Sequence, residues 1–66
     1  MEDRFLSSDD VEKLTSLSRT TLWRMARRGE FPKPVQLSKG RVGYLASEVQ
    51  AWIRRQAELR QSLAVA

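Results

Sequence analysis

The sequence predicts a small, mostly helical domain with three helices and one short β-hairpin. Two short helical patterns come first, around residues 7–16 and 18–28, and they are separated by a tight turn. A proline-containing connector and an alternating apolar pattern around Gly40 then predict the hairpin. A longer helical period after Ser47 predicts the third helix. The order of elements is a helix-turn-helix followed by a hairpin.

The length of 66 residues leaves room for one small domain. Its 41% of hydrophobic residues separates the chain from disordered segments, which are poorer in apolar side chains. We therefore expect a single domain over residues 1–61. Residues 62–66 lack a cap and a clear pattern, and we expect a frayed tail there.

The absence of cysteine and histidine narrows the classes of function. It removes disulfides, the usual zinc ligands and the commonest general base at neutral pH. We expect neither catalysis nor a metal, cofactor or small-molecule ligand. Asp9, Asp10 and Glu12 are better explained as first-turn acids of a helix than as a metal site. Without a signal peptide or a membrane-spanning apolar run, we expect a cytoplasmic protein with no membrane partner.

The first helix is predicted from its N-cap and its apolar period. Ser7 precedes Asp10 by three residues, which is the spacing of an N-cap with an acidic partner. Val11 and Leu14 mark the face expected to be buried. The helix is predicted to end near residues 15–16.

The second helix is predicted to be about ten residues long. Ser18 is a favourable N-cap, and Leu22, Met25 and Ala26 repeat at helical spacing, so they define its inner face. Gly29 supplies the positive φ that commonly follows a helix end.

The connector, the hairpin and the third helix are predicted from the prolines, from alternating apolar residues and from a second capping pattern. Residues 31–34 form a rigid connector because proline disfavours helix. The apolar residues alternate on both sides of residues 38–40, which indicates a hairpin. Ser47 and Gln50 have the spacing of a capping box. The apolar positions of the following helix are Val49, Trp52, Ile53 and Leu59, and we interpret Trp52 and Tyr44 as core residues.

The charge is unevenly distributed along the chain. Residues 19–41 carry seven cations against one carboxylate, for a net charge of +6. Residues 1–18 carry −3, and residues 42–66 carry +1. A concentrated positive patch attracts polyanions, so double-stranded DNA is the predicted partner.

The second helix carries the predicted contacts to DNA. At about 100° per residue, Thr20, Arg24 and Arg27 lie opposite the apolar face. Arginine pairs with guanine edges, threonine contacts bases, and amides at a helix N-terminus bind phosphate. The full set on this helix is Ser18, Arg19, Thr20, Thr21, Arg24, Arg27 and Arg28; the connector and hairpin add Lys33, Lys39 and Arg41; Trp23 is a further candidate.

Each of these residues also has a plainer interpretation. The basic stripe is alternatively a solvated helix face, and the hairpin tip a soluble turn. Trp23 is alternatively an aromatic packed against the first helix or the hairpin. Lys33 is either a phosphate contact or an ordinary surface lysine. Arg19 lies nearer the core boundary, which favours a phosphate or an acidic residue of the first helix over a base.

Several ordered blocks of sequence resemble the AlpA family of small phage and prophage regulators. They are Phe5-Leu6, the run from Leu14 to Arg24, the run from Gly29 to Val35, Gly43-Tyr44-Leu45, and the run from Ser47 to Trp52. The resemblance covers roughly residues 4 to 56. It implies a winged-helix-like domain related to MerR-type and excisionase domains, with the second helix in the major groove and the hairpin as the wing. Two departures are Ser16, where the family usually has glycine, and Trp23, where tyrosine is common.

The resulting hypothesis is a non-enzymatic transcriptional regulator of a phage, prophage or other mobile element. The alternative is an excisionase that bends attachment-site DNA and contacts an integrase. A more remote alternative is a protein-interaction module with a basic face. Because one small domain binds DNA only modestly, we expect dimerisation or cooperative binding to repeated sites. An integrase and RNA polymerase are the other candidate partners.

Overall fold

Three helices and three short strands make up residues 3–65, the part whose backbone the computed structural model describes; side chains are described for residues 3–60. The elements are β1 (Phe5–Leu6), α1 (Ser8–Thr15), α2 (Arg19–Arg27), β2 (Val35–Ser38), β3 (Arg41–Leu45) and α3 (Ala46–Val65). The strands form one antiparallel sheet in the order β1-β3-β2. The predicted fold class, a mostly helical helix-turn-helix with a hairpin wing, is confirmed.

The first helix begins and ends where its local signals predict. The hydroxyl of Ser7 accepts a hydrogen bond from the backbone N–H of Asp10 at 3.1 Å, and the helix stops at Thr15. Val11 is fully buried, but Leu14 is 54% exposed, so the prediction that Leu14 lies on the buried face is wrong. The helix ends one residue after Leu14, and Leu17 from the turn packs against the core instead.

The second helix is closed at both ends by local hydrogen bonds. Ser18 is the N-cap, and its hydroxyl accepts from the Thr21 N–H at 3.2 Å. At the other end, the Gly29 N–H donates to Ala26 O at 3.1 Å and the Glu30 N–H donates to Met25 O at 2.8 Å. These two hydrogen bonds form a Schellman arrangement, and Gly29 has the positive φ predicted for it, at +77°.

The sheet contains a strand that the sequence pattern does not indicate. Phe5 pairs with Leu45 and Leu6 with Tyr44, so the N-terminal segment forms an edge strand beside β3. Two apolar residues are too short to show the alternation from which a strand is predicted. The predicted hairpin is present, with Lys39 and Gly40 between β2 and β3 and a register shift between Gln36 and Ser38.

The third helix begins differently from the prediction. It starts at Ala46, directly after β3, so Ser47 lies inside its first turn and the predicted Ser47–Gln50 capping box is wrong. Asp3 takes the capping role instead. Its Oδ1 accepts from the Ser47 N–H at 3.1 Å and its Oδ2 accepts from the Ser47 hydroxyl at 2.6 Å. The Ala46 N–H donates to Arg4 O at 2.8 Å, so the N-terminal segment satisfies the start of α3.

The core lies between the sheet and the three helices. Its buried members are Leu6, Val11, Leu22, Phe31, Tyr44, Ala46 and Val49. The ring of Phe31 makes edge-to-face contacts with Trp52, at 4.8 Å between centroids, and with Tyr44, at 5.7 Å. Trp52 also donates its indole N–H to Glu30 O at 2.8 Å. Tyr44 is therefore buried in the core, and Trp52 packs against the core half-buried, which agrees with their predicted places.

The distal part of α3 extends away from this core. Leu59 is 51% exposed, so its predicted place on the buried face is wrong. The helical period continues past the last residue that the short sheet and the other helices cover. The helix reaches Val65, beyond the end expected near Gln61. The side chains of the expected tail, residues 62–66, lie outside the described residues, so the tail stays a prediction.

Candidate nucleic-acid interface

The turn between α1 and α2 is held by backbone-directed hydrogen bonds. The Thr15 hydroxyl donates to Val11 O at 2.8 Å and accepts from the Leu17 N–H at 3.3 Å. Ser16 adopts the left-handed conformation, at φ 61° and ψ 22°, and its N–H donates to Glu12 O. Three residues thus join the two helices through a short, hydrogen-bonded turn, and this limits how α2 can move relative to α1.

The inner face of α2 is the predicted one. Leu22 and Ala26 are buried, and Met25 is half-buried against the core. Thr20, Arg24 and Arg27 are exposed on the other side of the helix. The helix therefore presents a hydroxyl and two guanidinium groups to solvent, in the order predicted from its period.

The hydroxyls at the start of α2 are engaged with each other. The Ser18 hydroxyl donates to Thr21 Oγ1 at 2.9 Å while it accepts from the Thr21 N–H. Both residues thus serve as part of the helix cap. Of the three hydroxyl residues in this region, Thr20 is the one exposed on the outward face without such a bond among the described residues.

Arg19 is paired with the first helix. Its guanidinium donates to Asp9 Oδ1 at 3.3 Å, and both side chains are exposed. This is one of the two partners that the position of Arg19 predicts. Among the described side chains it is the only ion pair, so the other cations of the basic region have no carboxylate partner there.

Trp23 lies on the surface between α2 and the hairpin. Its side chain is 53% exposed, which is unusual for an aromatic of this size in a small domain. The guanidinium of Arg27 lies 4.8 Å from the centre of its ring, in cation–π contact. Trp23 is thus not a core residue, and it holds Arg27 against its own ring.

Two open clefts adjoin Trp23. The wing cleft, of about 360 Å³, lies between the starts of α1 and α2 and the hairpin, and Arg19 and Arg41 line it together with Trp23 and Pro34. The connector cleft lies beside the second half of α2, and Arg27 and Lys33 line it with the same Trp23 and Pro34. The structure therefore brings together five of the predicted residues, Arg19, Trp23, Arg27, Lys33 and Arg41, around these clefts.

Six of the predicted residues line neither cleft. Arg28 is the C-cap of α2, and Lys39 is exposed in the hairpin turn. Arg24 also lines neither cleft and stays on the outward stripe with Thr20. The predicted set thus divides into the outward stripe of Thr20 and Arg24, the helix cap of Ser18 and Thr21, the group around Trp23 and the two outlying cations Arg28 and Lys39.

Among the cleft residues that the sequence does not mark as site residues, three bear on the chemistry of the site. Asp9 lines the wing cleft beside Arg19, and Pro34 lies between the two clefts. Tyr44 also lines the wing cleft, although it belongs to the core. Burial raises the pKa of the Tyr44 hydroxyl above its ordinary value of 10.0, and the Arg19 cation opposes part of that rise. No local pattern marks these three positions, because they come together only through the tertiary structure.

Within residues 3–65, no helix is long and apolar enough to cross a membrane. In the same part of the chain, no three or more acidic residues come together as a group able to hold a metal ion.

The order of helices, the hairpin wing and the tight turn define a small winged helix-turn-helix protein. The model of the family described as the prophage CP4-57 regulatory protein, AlpA, matches residues 4–59, and the chain belongs to that family. It is 44% identical over 52 residues to the uncharacterized protein ORF88 of Enterobacteria phage P4. That match covers 79% of this chain and 59% of the relative, so the chain spans less than two thirds of the relative's length. No solved structure matches the chain.

Proposed function

We propose that this protein is a sequence-specific, double-stranded DNA-binding regulator of the genes of a phage or prophage. The observation that carries the proposal is the outward stripe of α2, where Thr20 and Arg24 are exposed opposite a buried apolar face. An α-helix fits the major groove, and side chains on its outer face then reach base edges. The regulatory description of the matching family supports regulation over catalysis.

The proposed roles follow from chemistry and placement. Arg24 pairs with guanine O6 and N7, and Thr20 contacts a neighbouring base. Arg28 and the backbone N–H groups at the start of α2, at residues 18–20, bind phosphates on either side of the contacted bases. Lys39 and Arg41, in and beside the hairpin turn, reach the adjacent minor groove, where cations respond to negative potential. The protein works in the bacterial cytoplasm, where the DNA is.

The first experiment is selection of bound duplexes from a random library at physiological salt. The enriched sequence is then titrated against a scrambled duplex. We expect a preference of about 10³-fold or more, the range of specific DNA-binding proteins. The spacing of repeated motifs would report whether two copies bind together. Weak, salt-sensitive binding without enrichment would contradict the proposal and favour the protein-interaction module.

Two substitutions separate base recognition from phosphate binding. Arg24→Ala is expected to lower the preference at particular base pairs by about 1–3 kcal/mol. Lys39→Ala is expected to weaken binding to all sequences and to reduce the slope of log affinity against log salt by about one. Equal losses of Arg24→Ala on selected and scrambled DNA would refute its role at a base.

The position of the binding site distinguishes a transcriptional regulator from an excisionase. A footprint confined to a promoter, with a change in reporter expression, supports the regulator. A footprint over tandem sites in an attachment region, with bending of the DNA and a shift toward excision, supports the excisionase. The family description names a regulatory protein, and for that reason the regulator is the function proposed.

A further inference from the structure

We propose that Trp23 and Pro34 form a saddle for one DNA strand, with a deoxyribose on the saddle and the two flanking phosphates in the wing cleft and the connector cleft. The proposal rests on the proposed function. It adds a second mode of contact, to the sugar-phosphate chain, and assigns it to residues outside the outward stripe of α2.

The position of the saddle follows from the geometry of duplex DNA. A helix in the major groove and a hairpin in the adjacent minor groove lie on opposite sides of the sugar-phosphate chain that separates the grooves. That strand must cross the surface between α2 and the hairpin. The clefts lie on this surface, and Trp23 and Pro34 line both of them, so these two residues form the boundary that the strand crosses.

The cations on the two sides of the saddle complement the negative charge of the phosphates of a DNA strand. The connector cleft contributes Arg27 and Lys33. The wing cleft contributes Arg41, together with Arg19, whose charge is partly offset by Asp9 at 3.3 Å. Arg41 then binds the phosphate that borders the minor groove, and Lys39 remains the residue that reaches into the groove. Each cleft thus offers at least one cation without a carboxylate partner among the described side chains. Cations on both sides of an apolar centre match the alternation of phosphate and sugar along a strand.

The exposure of Trp23 points to the same surface. A large aromatic that is 53% exposed contributes less to the core than a buried one, and its indole N–H makes no hydrogen bond among the described residues. The apolar indole ring of a tryptophan can pack against a sugar, and its single N–H can donate to a neighbouring phosphate oxygen.

The contact between Arg27 and Trp23 changes the role expected of Arg27. Its guanidinium is held 4.8 Å from the ring centre and lines the connector cleft, away from Arg24. A guanidinium held over a ring keeps N–H groups at its edge free to donate to a phosphate oxygen. Arg27 then binds the strand and leaves base recognition to Thr20 and Arg24.

The test uses the selected duplex with single phosphates replaced by neutral methylphosphonates. For the wild-type protein, we expect a loss of affinity at neighbouring phosphates of one strand, between the bases read by α2 and the minor groove at the hairpin. In Arg41→Ala, the effect of neutralising the phosphate nearer the hairpin should disappear. In Lys33→Ala, the effect of neutralising the other phosphate should decrease. Arg60→Ala removes the same charge from α3 and should leave the pattern unchanged.

A second measurement tests the saddle itself. Trp23→Ala is expected to weaken binding to selected and scrambled duplexes by the same factor, about three- to tenfold for a lost aromatic contact. Leu59→Ala, which truncates another half-exposed apolar side chain, should have no such effect. Circular dichroism checks that each variant is folded. Trp23 fluorescence, taken as the signal lost in Trp23→Phe, should change when DNA binds.

The outcomes distinguish the two proposals. If no sequence is enriched by the wild-type protein, the proposed function fails and the saddle with it. If a sequence is enriched but Arg41→Ala and Lys33→Ala keep the full phosphate pattern, the saddle is wrong and the proposed function stands. A change in base preference on Trp23→Ala would also overturn the saddle, because it would make Trp23 a base contact.

Discussion

Ser16 adopts a backbone conformation that glycine tolerates better than serine. Its φ of 61° is the one positive value at a non-glycine position among the described residues. The family resemblance predicts glycine there, and the structure explains why, since a β-carbon in the left-handed region crowds the backbone. The hydrogen bonds of Thr15 around the turn accompany this strain but do not remove it.

Ser16→Gly is expected to stabilise the protein by about 0.5–1 kcal/mol, because relief of the strain exceeds the added entropy of the unfolded chain. Urea denaturation followed by circular dichroism measures the change. Ser16→Ala keeps the β-carbon and serves as the control, with no gain expected. A loss of stability in Ser16→Gly would show that the serine side chain contributes more than its backbone strain costs.

Gly43 is required for a different reason. An added β-carbon would lie 2.9 Å from Leu37 Cδ1, 3.3 Å from Leu6 O and 3.3 Å from Phe5 Cβ. Leu37 is half-exposed and able to turn aside, but the Leu6 carbonyl belongs to the sheet backbone. The glycine thus permits close approach of β1 and of the side chains that cover β3.

Gly43→Ala is expected to destabilise the protein by about 1–2 kcal/mol through this crowding. Thermal unfolding measures the loss. The double variant with Leu37→Ala removes the closest contact and should recover part of it. An unchanged melting temperature in the single variant would indicate that β1 shifts without cost.

Among the helices, caps made by neighbouring residues are predictable from sequence, whereas a cap made by a distant residue is not. The caps of α1 and α2 use residues within a few positions of the helix, and both were predicted from sequence. The cap of α3 comes from Asp3, 44 residues before Ser47. No pattern around Ser47 indicates that partner. The Asp3 carboxylate is a stronger hydrogen-bond acceptor than the side chains of the capping box predicted around Ser47.

The Asp3 cap predicts a dependence of stability on pH. The hydrogen bond from the Ser47 hydroxyl, followed by the one from its N–H, lowers the pKa of Asp3 below its ordinary 3.8. Because the folded-state pKa is the lower one, the stabilisation is present above the unfolded pKa and is lost as the pH falls through the folded one. Asp3→Ala should therefore lower the melting temperature at neutral pH.

The measurement is thermal unfolding of wild type and Asp3→Ala between neutral pH and strongly acidic pH. The difference between the two proteins should shrink as the pH falls below the ordinary pKa of the carboxyl. Asp10→Ala is a control, because Asp10 enters the cap of α1 through its backbone N–H and its carboxylate caps no helix among the described residues. A difference that stays constant down to the lowest pH would contradict the charged cap.

At the scale of the whole molecule, the acidic and basic parts of the sequence meet at the wing cleft. The acidic start of α1 brings Asp9 beside Arg19, and the hairpin brings Arg41 to the same cleft. An exposed ion pair of this kind contributes little to stability. Its larger consequence is for the proposed interface, since the Asp9 carboxylate lies where a phosphate is proposed to bind.

Asp9→Asn is expected to strengthen DNA binding, on the order of threefold at low salt and less as the salt concentration rises. The gain should be equal on selected and scrambled duplexes, because phosphates carry no sequence information. Titrations at several salt concentrations measure it. Asp10→Asn removes the same charge one position along α1, lines neither cleft, and should have a smaller effect. Weaker binding of Asp9→Asn would indicate that the pair with Arg19 positions that arginine for DNA.

The sequence alone predicts the order of the three helices and the hairpin, the ends of α1 and α2, and the outward stripe of α2. These features depend on interactions between residues a few positions apart, and such interactions leave periodic or spaced patterns. The packing of the folded chain determines the edge strand β1, the cap from Asp3 and the exposure of Leu14 and Leu59. It also determines that Trp23 and Pro34 lie between two cationic clefts. These features depend on residues far apart in the chain, and their distances are set by packing around the core and not by local spacing.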